Sequence, residues 1–253
     1  MLKKIQGFIS ETQLISKSDK TLIAVSGGRD SILLFILLYQ LGYTVEIAHC
    51  NYKLRAEESD NDEDFVRKLA DKMGVPFHSR KFDTKDLAEK DGVSIQMKAR
   101  DLRYDWFEML SKERNLTKIA TAHHLDDQLE TILINLTRGT GLKGLRGMKE
   151  KRGKIIRPLL CVSRDEINEF MFDKHIPFRE DSSNASGKYF RNKIRQQVIP
   201  VLKEINPSLF KAVNNTTERL RNVEVNWDGQ FLAWKESLEI KNGVTKIDFS
   251  EVV

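Results

Sequence analysis

Apolar positions come in two rhythms along this chain, and the two alternate. Thr21 to Val25 is a short run of strand formers, which predicts a buried strand. Ser31 to Gln40 is apolar on nearly every side and stops near Gly42. That run is too long for a typical strand, so it predicts a buried helix with a glycine stop. Thr44 to His49 predicts a second strand. Glu57 to Met73 opens acidic, repeats apolar residues at Phe65, Leu69 and Met73, and ends before Gly74; this is a helix pattern. Val75 to Phe82 predicts a third strand, and Ser94 to Arg114 a long helix capped by Ser94. Lys118 to Ala122 predicts a fourth strand, followed by a helix from Asp126 to Thr137. Lys154 to Arg157 predicts a fifth strand, and Ser163 to Lys174 a serine-capped helix.

This alternation predicts an α/β fold, a Rossmann-like parallel sheet with helices on both faces. Ligands in such sheets bind beyond the carboxyl ends of the strands. The rule points to three loops: Ser26–Ser31, His49–Arg55 and His123–Asp127. After Pro177 the rhythm changes. Arg179 to Lys188 reads as a loop; Tyr189 to Lys203 and Ser208 to about Lys235 read as helices. The last of these carries Phe210, Val213, Leu220, Trp227, Phe231 and Trp234, an apolar set that needs a partner surface. Gly243 to Val253 reads as a terminal strand with nothing to pair. The expected division is a catalytic unit over 1–205 and, over 206–253, a helical linker and the start of a further, truncated domain.

Composition narrows the class. The 253 residues include 42 Lys and Arg against 37 Asp and Glu, a net charge of +5. That permits a nucleic-acid partner without demanding one. Two cysteines, Cys50 and Cys161, stand far apart, which argues against a disulfide framework, a zinc ribbon or a cysteine-held cluster. The absence of a secretory core and of a run of about 20 apolar residues predicts a cytoplasmic chain without a membrane span.

Chemistry concentrates in the predicted loops. Ser26-Gly27-Gly28-Arg29-Asp30-Ser31 joins a strand to a helix. Two glycines let backbone N–H groups approach an anion, and the helix N-terminus adds a positive end. Asp30 beside a phosphate implies Mg²⁺ between them. By itself the loop supports only an anion-binding turn. In His123-His124-Leu125-Asp126-Asp127-Gln128-Leu129-Glu130, helical spacing puts His123, Asp127 and Glu130 on one face and leaves Asp126 to cap the helix. Arg100 and Arg103 share another helical face. Gly139 to Gly144 spells GxGxxG but follows a helix, so it reads as a flexible loop. Two basic clusters, one from Lys143 and Arg146 to Arg157, the other Lys188, Arg191, Lys193 and Arg195, suit a nucleic-acid backbone.

Taken in order, these residues resemble a known family. The Ser-Gly-Gly-x-Asp-Ser loop is similar to that of the PP-loop ATP pyrophosphatases. His49 to Arg55, Ala99-Arg100 with Arg103-Tyr104, Ala122 to Thr131, Arg138 to Gly141, Ile156 to Leu160, and Asp181 to Asn184 leading into Arg191 to Arg195 resemble the tRNA(Ile)-lysidine synthetases within it. The likeness implies ATP, Mg²⁺, free lysine and tRNA(Ile) with a CAU anticodon as reactants, and allows a homodimer. It implies ATP contacts at Ser26, Gly27, Gly28, Arg29, Asp30 and Ser31, with Asp30 as metal ligand. It implies catalytic roles for Asp30, Arg103, His123, Asp127 and Glu130, and tRNA contacts at Arg100, Lys143, Arg146, Arg191 and Arg195. Tyr52-Lys53 replaces the commoner His-Gly, Gln96 a commoner Glu, and Arg29 a usual apolar residue. The rival readings are a PP-loop tRNA thiolase, an amidating synthetase, and a non-catalytic ATP-binding module.

Overall fold

The computed structural model describes residues 1–55, 57–179, 190–237, 240–241 and 244–245. Its centre is a six-stranded sheet of β1 (Lys20–Ala24), β2 (Thr44–Asn51), β3 (Phe77–Lys81), β4 (Lys118–Ala120), β5 (Lys151–Arg152) and β6 (Ile155–Ile156), in the order β3-β2-β1-β4-β6-β5. All neighbours are parallel except β5, which turns back against β6. The antiparallel edge was not expected, because two residues are too few to show a period. Leu22 of β1 lies opposite Glu46 on one side and Ile119 on the other. The strand order reverses direction at β1 and β4, so their carboxyl ends frame a crevice.

Each face of the sheet is buried under helices. Helix α2 (Arg29–Gln40) has Ile32 to Phe35, Leu37 and Leu38 fully buried, as an all-round apolar helix requires. It packs with α1 (Leu2–Thr12), α3 (Glu57–Met73) and α8 (Arg164–Asp173) in one core. Truncating any of its leucines to alanine is expected to cost about 2–5 kcal/mol. The sequence pattern had passed over α1, whose Ile5 and Ile9 anchor it, and α4 (Thr84–Asp91). On the opposite face α5 (Ile95–Glu113) buries Trp106, Phe107 and Leu110 against Leu22 and Ala48. Ser94 caps α5 by accepting from the Met97 amide at 3.2 Å, as its side chain predicts.

Beyond β4 the described chain is mostly helical. After α6 (Leu125–Thr137) comes α7 (Leu142–Leu145), one turn inside the stretch expected to be a flexible loop. Then follow α9 (Phe190–Lys193), a π-helical turn (Ile194–Val198), α10 (Ile199–Ile205) and α11 (Leu209–Ser237). Leu129 of α6 packs with Ile194 and Ile199, and the start of α11 closes over them through Leu209, Phe210 and Val213. The expected terminal strand is not unpaired: β8 (Val244–Thr245) pairs with β7 (Ile240–Lys241). The rest of that expectation, and the loop and resemblance segments between 180 and 189, lie outside the described residues. Among the described residues no helix is long and apolar enough to cross a membrane.

Candidate active site

The loop after β1 is built by local hydrogen bonds. Gly27 takes a φ of 94°, where an L side chain is strained. The Ser31 hydroxyl donates to the Gly28 carbonyl at 2.8 Å and accepts from the Ser26 amide at 3.1 Å. Gly28 then caps α2, whose first amides face the loop with no intrahelical partner. His49 Nδ1 lies 2.9 Å from the Val25 carbonyl and ties the end of β2 beneath the loop. Arg29 does not face the crevice: its guanidinium bonds Asn168 and lies 4.5 Å from the Phe178 ring centroid. It fastens α2 to α8 and to the chain after it, which accounts for a charged residue at this position.

Opposite stands the loop after β4. His124, which the spacing argument passed over, is its centre. The ring is 1 % exposed, with Nε2 3.5 Å from both Asp30 and Asp127, and Nδ1 3.6 Å from Asp126. Burial opposes its charge, but the Asp126 and Asp30 carboxylates, aided by Asp127, override that and push the imidazole up to about 10. Asp30 is correspondingly held below the usual carboxylate range, against its own burial, by His124 and Arg164. A buried imidazolium thus holds three carboxylates together across two loops. His124, not Asp126, is the N-cap of α6. Asp126 instead accepts from the Arg164 amide at 2.7 Å and joins the start of α8 to that of α6.

His123 precedes the helix, so the expected single face of His123, Asp127 and Glu130 does not form. Burial, with Arg157, Arg103 and Arg100 nearby, pushes His123 down to about 4 despite Asp127. The ring is therefore neutral near pH 7, its Nδ1 3.0 Å from the Thr121 hydroxyl. Glu130 has no exposed surface and meets Arg195 through both oxygens, at 2.5 and 3.0 Å. Burial raises its carboxyl above the ordinary range against the pull of Arg195. Arg195 also reaches Asp127 at 3.4 Å. Expected on an RNA-facing surface, Arg195 is turned inward, because a fully buried carboxylate requires a cation. Its place on a π-helical turn is a frequent mark of functional positions. The Arg191/Arg195 spacing of four was the signal for a shared helical face toward Glu130.

A cavity of about 350 Å³ lies between these loops, lined among others by Ser26, Ser31, Tyr52, Arg103, Tyr104, His123, Asp127 and Arg191. The structure therefore brings together the Ser26 loop, Arg100, Arg103, His123 and Asp127. Arg103 Nε is buried without a hydrogen-bond partner. Lys53 takes a φ of 50°, its amide bonded to Asn51 Oδ1 at 3.0 Å; the left-handed turn is what a glycine there would serve. The basic run beyond Lys143 is not a free stripe. Lys143 is exposed, but Arg146 pairs with Glu224 of α11, and Arg157 is buried against the Lys149 carbonyl at 2.7 Å.

Comparison with known proteins agrees with this architecture. Residues 1–202 match the PP-loop domain model. The chain is 37 % identical over 247 residues to the tRNA(Ile)-lysidine synthase of Petrotoga mobilis, covering 94 % of this chain and 79 % of that protein. This chain belongs to the tRNA(Ile)-lysidine synthase family. It carries an ATP-binding PP-loop domain. Family members from Bacteroides thetaiotaomicron and Porphyromonas gingivalis are 44 % and 45 % identical over 87 % and 88 % of this chain. The chain spans about half the length of those two relatives, 52 % and 50 %. Among solved structures, the U34-tRNA thiolase NcsA of Methanococcus maripaludis, with its iron–sulfur cluster, superposes with a TM-score of 0.71 at 19 % identity, covering 87 % of this chain and 78 % of that one. That likeness speaks for the fold.

Proposed function

We propose that this chain carries the catalytic unit of a tRNA(Ile)-lysidine synthase, with residues 1–205 as that unit and a linker and the start of a further domain over 206–253. One observation carries the reading. In a chain of that family, a glycine loop at a helix N-terminus shares a cavity with a neutral histidine, Asp127 and Arg103. ATP phosphates fit the Ser26–Ser31 loop, where backbone amides and the α2 dipole meet an anion. The donors suit a hard cation: Asp30, with Asp127 beside it, supplies carboxylate oxygens, and phosphates complete such a shell. When bound, Mg²⁺ would neutralise charge on the phosphates.

In this reading the O2 oxygen of the wobble cytosine attacks the α-phosphate and pyrophosphate leaves. The ε-amine of lysine then attacks C2 and expels AMP. A free lysine amine has a pKa of about 10.4 and must first lose a proton. Asp127 steers the ammonium toward the cavity, and the neutral His123 beside it accepts a hydrogen bond from the amine. Arg103 faces the developing charge. Glu130 acts through Arg195, as its positioning partner.

The thiolase alternative would need sulfur chemistry. Both cysteines are half-buried, and desolvation pushes Cys50 up to about 11 and Cys161 up to about 12, so neither is a ready nucleophile.

The test is AMP release with ATP, Mg²⁺, tRNA(Ile) bearing CAU, and each amino acid in turn. Lysine-dependent release confined to that tRNA is expected. Release that ignored lysine, or ran equally on unrelated tRNAs, would sink the reading. Asp30→Ala is expected to lower turnover by roughly 10²–10³-fold with the fold intact.

A further inference from the structure

An open groove of about 780 Å³ adjoins the ATP cavity and shares Arg100, Arg103 and Arg191 with it. Its walls come from the start of α5, the later turns of α6, and α9. Arg138 joins those three arginines, and none of the described residues lining the groove is acidic. Arg100, Arg103 and Arg138 make no ion pair with a described residue. Three guanidinium groups without a counter-charge repel one another, and a polyanion relieves that cost. Phe190, 48 % exposed, also lines the groove, as do Met97 and Ile134. An exposed ring in the same groove as several arginines is the combination that single-stranded nucleic acid uses: bases stack, and phosphates meet guanidinium groups. Gln96 adds an amide able to meet a base edge. The described lining residues offer no carboxylate to a free amine such as lysine.

We infer that the groove seats an RNA nucleotide adjacent to the one whose base enters the ATP cavity. Phe190 stacks on its base, and Arg100, Arg138 and Arg191 take its flanking phosphates. The inference rests on the tRNA reading and deepens it: the shared arginines make the groove continuous with the cavity that takes the reacting base. A double-stranded A-form segment keeps its bases stacked inside, so only an unpaired loop fits.

The test uses the full chain and an anticodon stem–loop carrying 2-aminopurine on either side of the wobble position. Binding is expected to quench one of the two probes. Phe190→Ala should abolish that quenching and weaken binding roughly 5- to 100-fold. Phe190→Leu, which keeps apolar bulk without a ring, should behave like it, and Phe190→Tyr should restore both readouts. Unchanged quenching and affinity in Phe190→Leu would overturn the proposal. So would an equal loss in Phe172→Ala, an exposed phenylalanine on α8, or displacement of the probe by AMP alone. Lysine-dependent AMP release, measured separately on the wild type, keeps the two readings apart. Quenching without such release leaves the groove standing and removes the lysidine assignment; release without Phe190-dependent quenching does the reverse.

Discussion

The loop from Lys143 to Arg157 and the groove around Arg100 both look basic in the sequence, but the fold uses them in opposite ways. In the loop, Arg146 and Lys149 meet Glu224, Arg221 of α11 returns to Glu150, and Arg157 is buried. In the groove, Arg100, Arg103 and Arg138 face an open depression with no carboxylate among its described lining residues. Positive charge near a nucleotide site is therefore not a binding surface until its internal partners are known. The loop is a joint, fixing the long helix to the sheet. Gln128 completes the joint: its amide accepts from Met148 N at 2.6 Å and donates to Met148 O at 3.4 Å, reaching from the helix that carries Asp127.

The difference can be broken or sharpened by substitution. The largest effect belongs to the cation turned furthest inward. Arg195→Ala strands Glu130 without its partner and is expected to cost about 3–5 kcal/mol in denaturant unfolding; adding Glu130→Gln should recover part of it. The next effect reads the groove arginines through a neighbour. His123 has its folded pKa depressed to about 4 by burial and by Arg157, Arg103 and Arg100. A depressed histidine makes the unfolded chain the better proton acceptor. Its contribution is present above the unfolded value near 6.5 and is lost as pH falls toward 4. His123→Gln should flatten stability across that window, and Arg100→Gln should move the His123 titration upward by NMR. A smaller effect belongs to the joint. Arg146→Gln should lower stability by about 1 kcal/mol, with the RNA salt dependence unchanged. Smallest for the fold is Arg138→Gln: its melting temperature should match the wild type, while the slope of log affinity against log salt falls by about 0.7. A melting loss in Arg138→Gln, or a salt-slope change in Arg146→Gln, would erase the distinction.

Much of this was readable from the chain. The strand–helix alternation located the crevice, because each element there is long enough to show its period and ends at a glycine or a cap. The Ser26–Ser31 and His123–Asp127 loops were found for the same reason. What escaped notice depends on contacts distant in sequence. Helix α1 is the exception, since Leu2, Ile5, Phe8 and Ile9 keep helical spacing and Ile5 and Ile9 reach the core. Helical spacing left His124 without a role and made Asp126 a cap, because their roles are fixed by Asp30 and by the Arg164 amide. Arg195 looked like surface charge because nothing local reveals that Glu130 is buried beneath it.

Three arginines, Arg100, Arg103 and Arg191, line both depressions. Variation at any of them is answerable to two chemistries at once. Phe190, Gln96 and Arg138 line the groove alone. Redesign aimed at a different loop sequence has its freedom at those three positions, where a change alters RNA preference without disturbing how the nucleotide triphosphate is held.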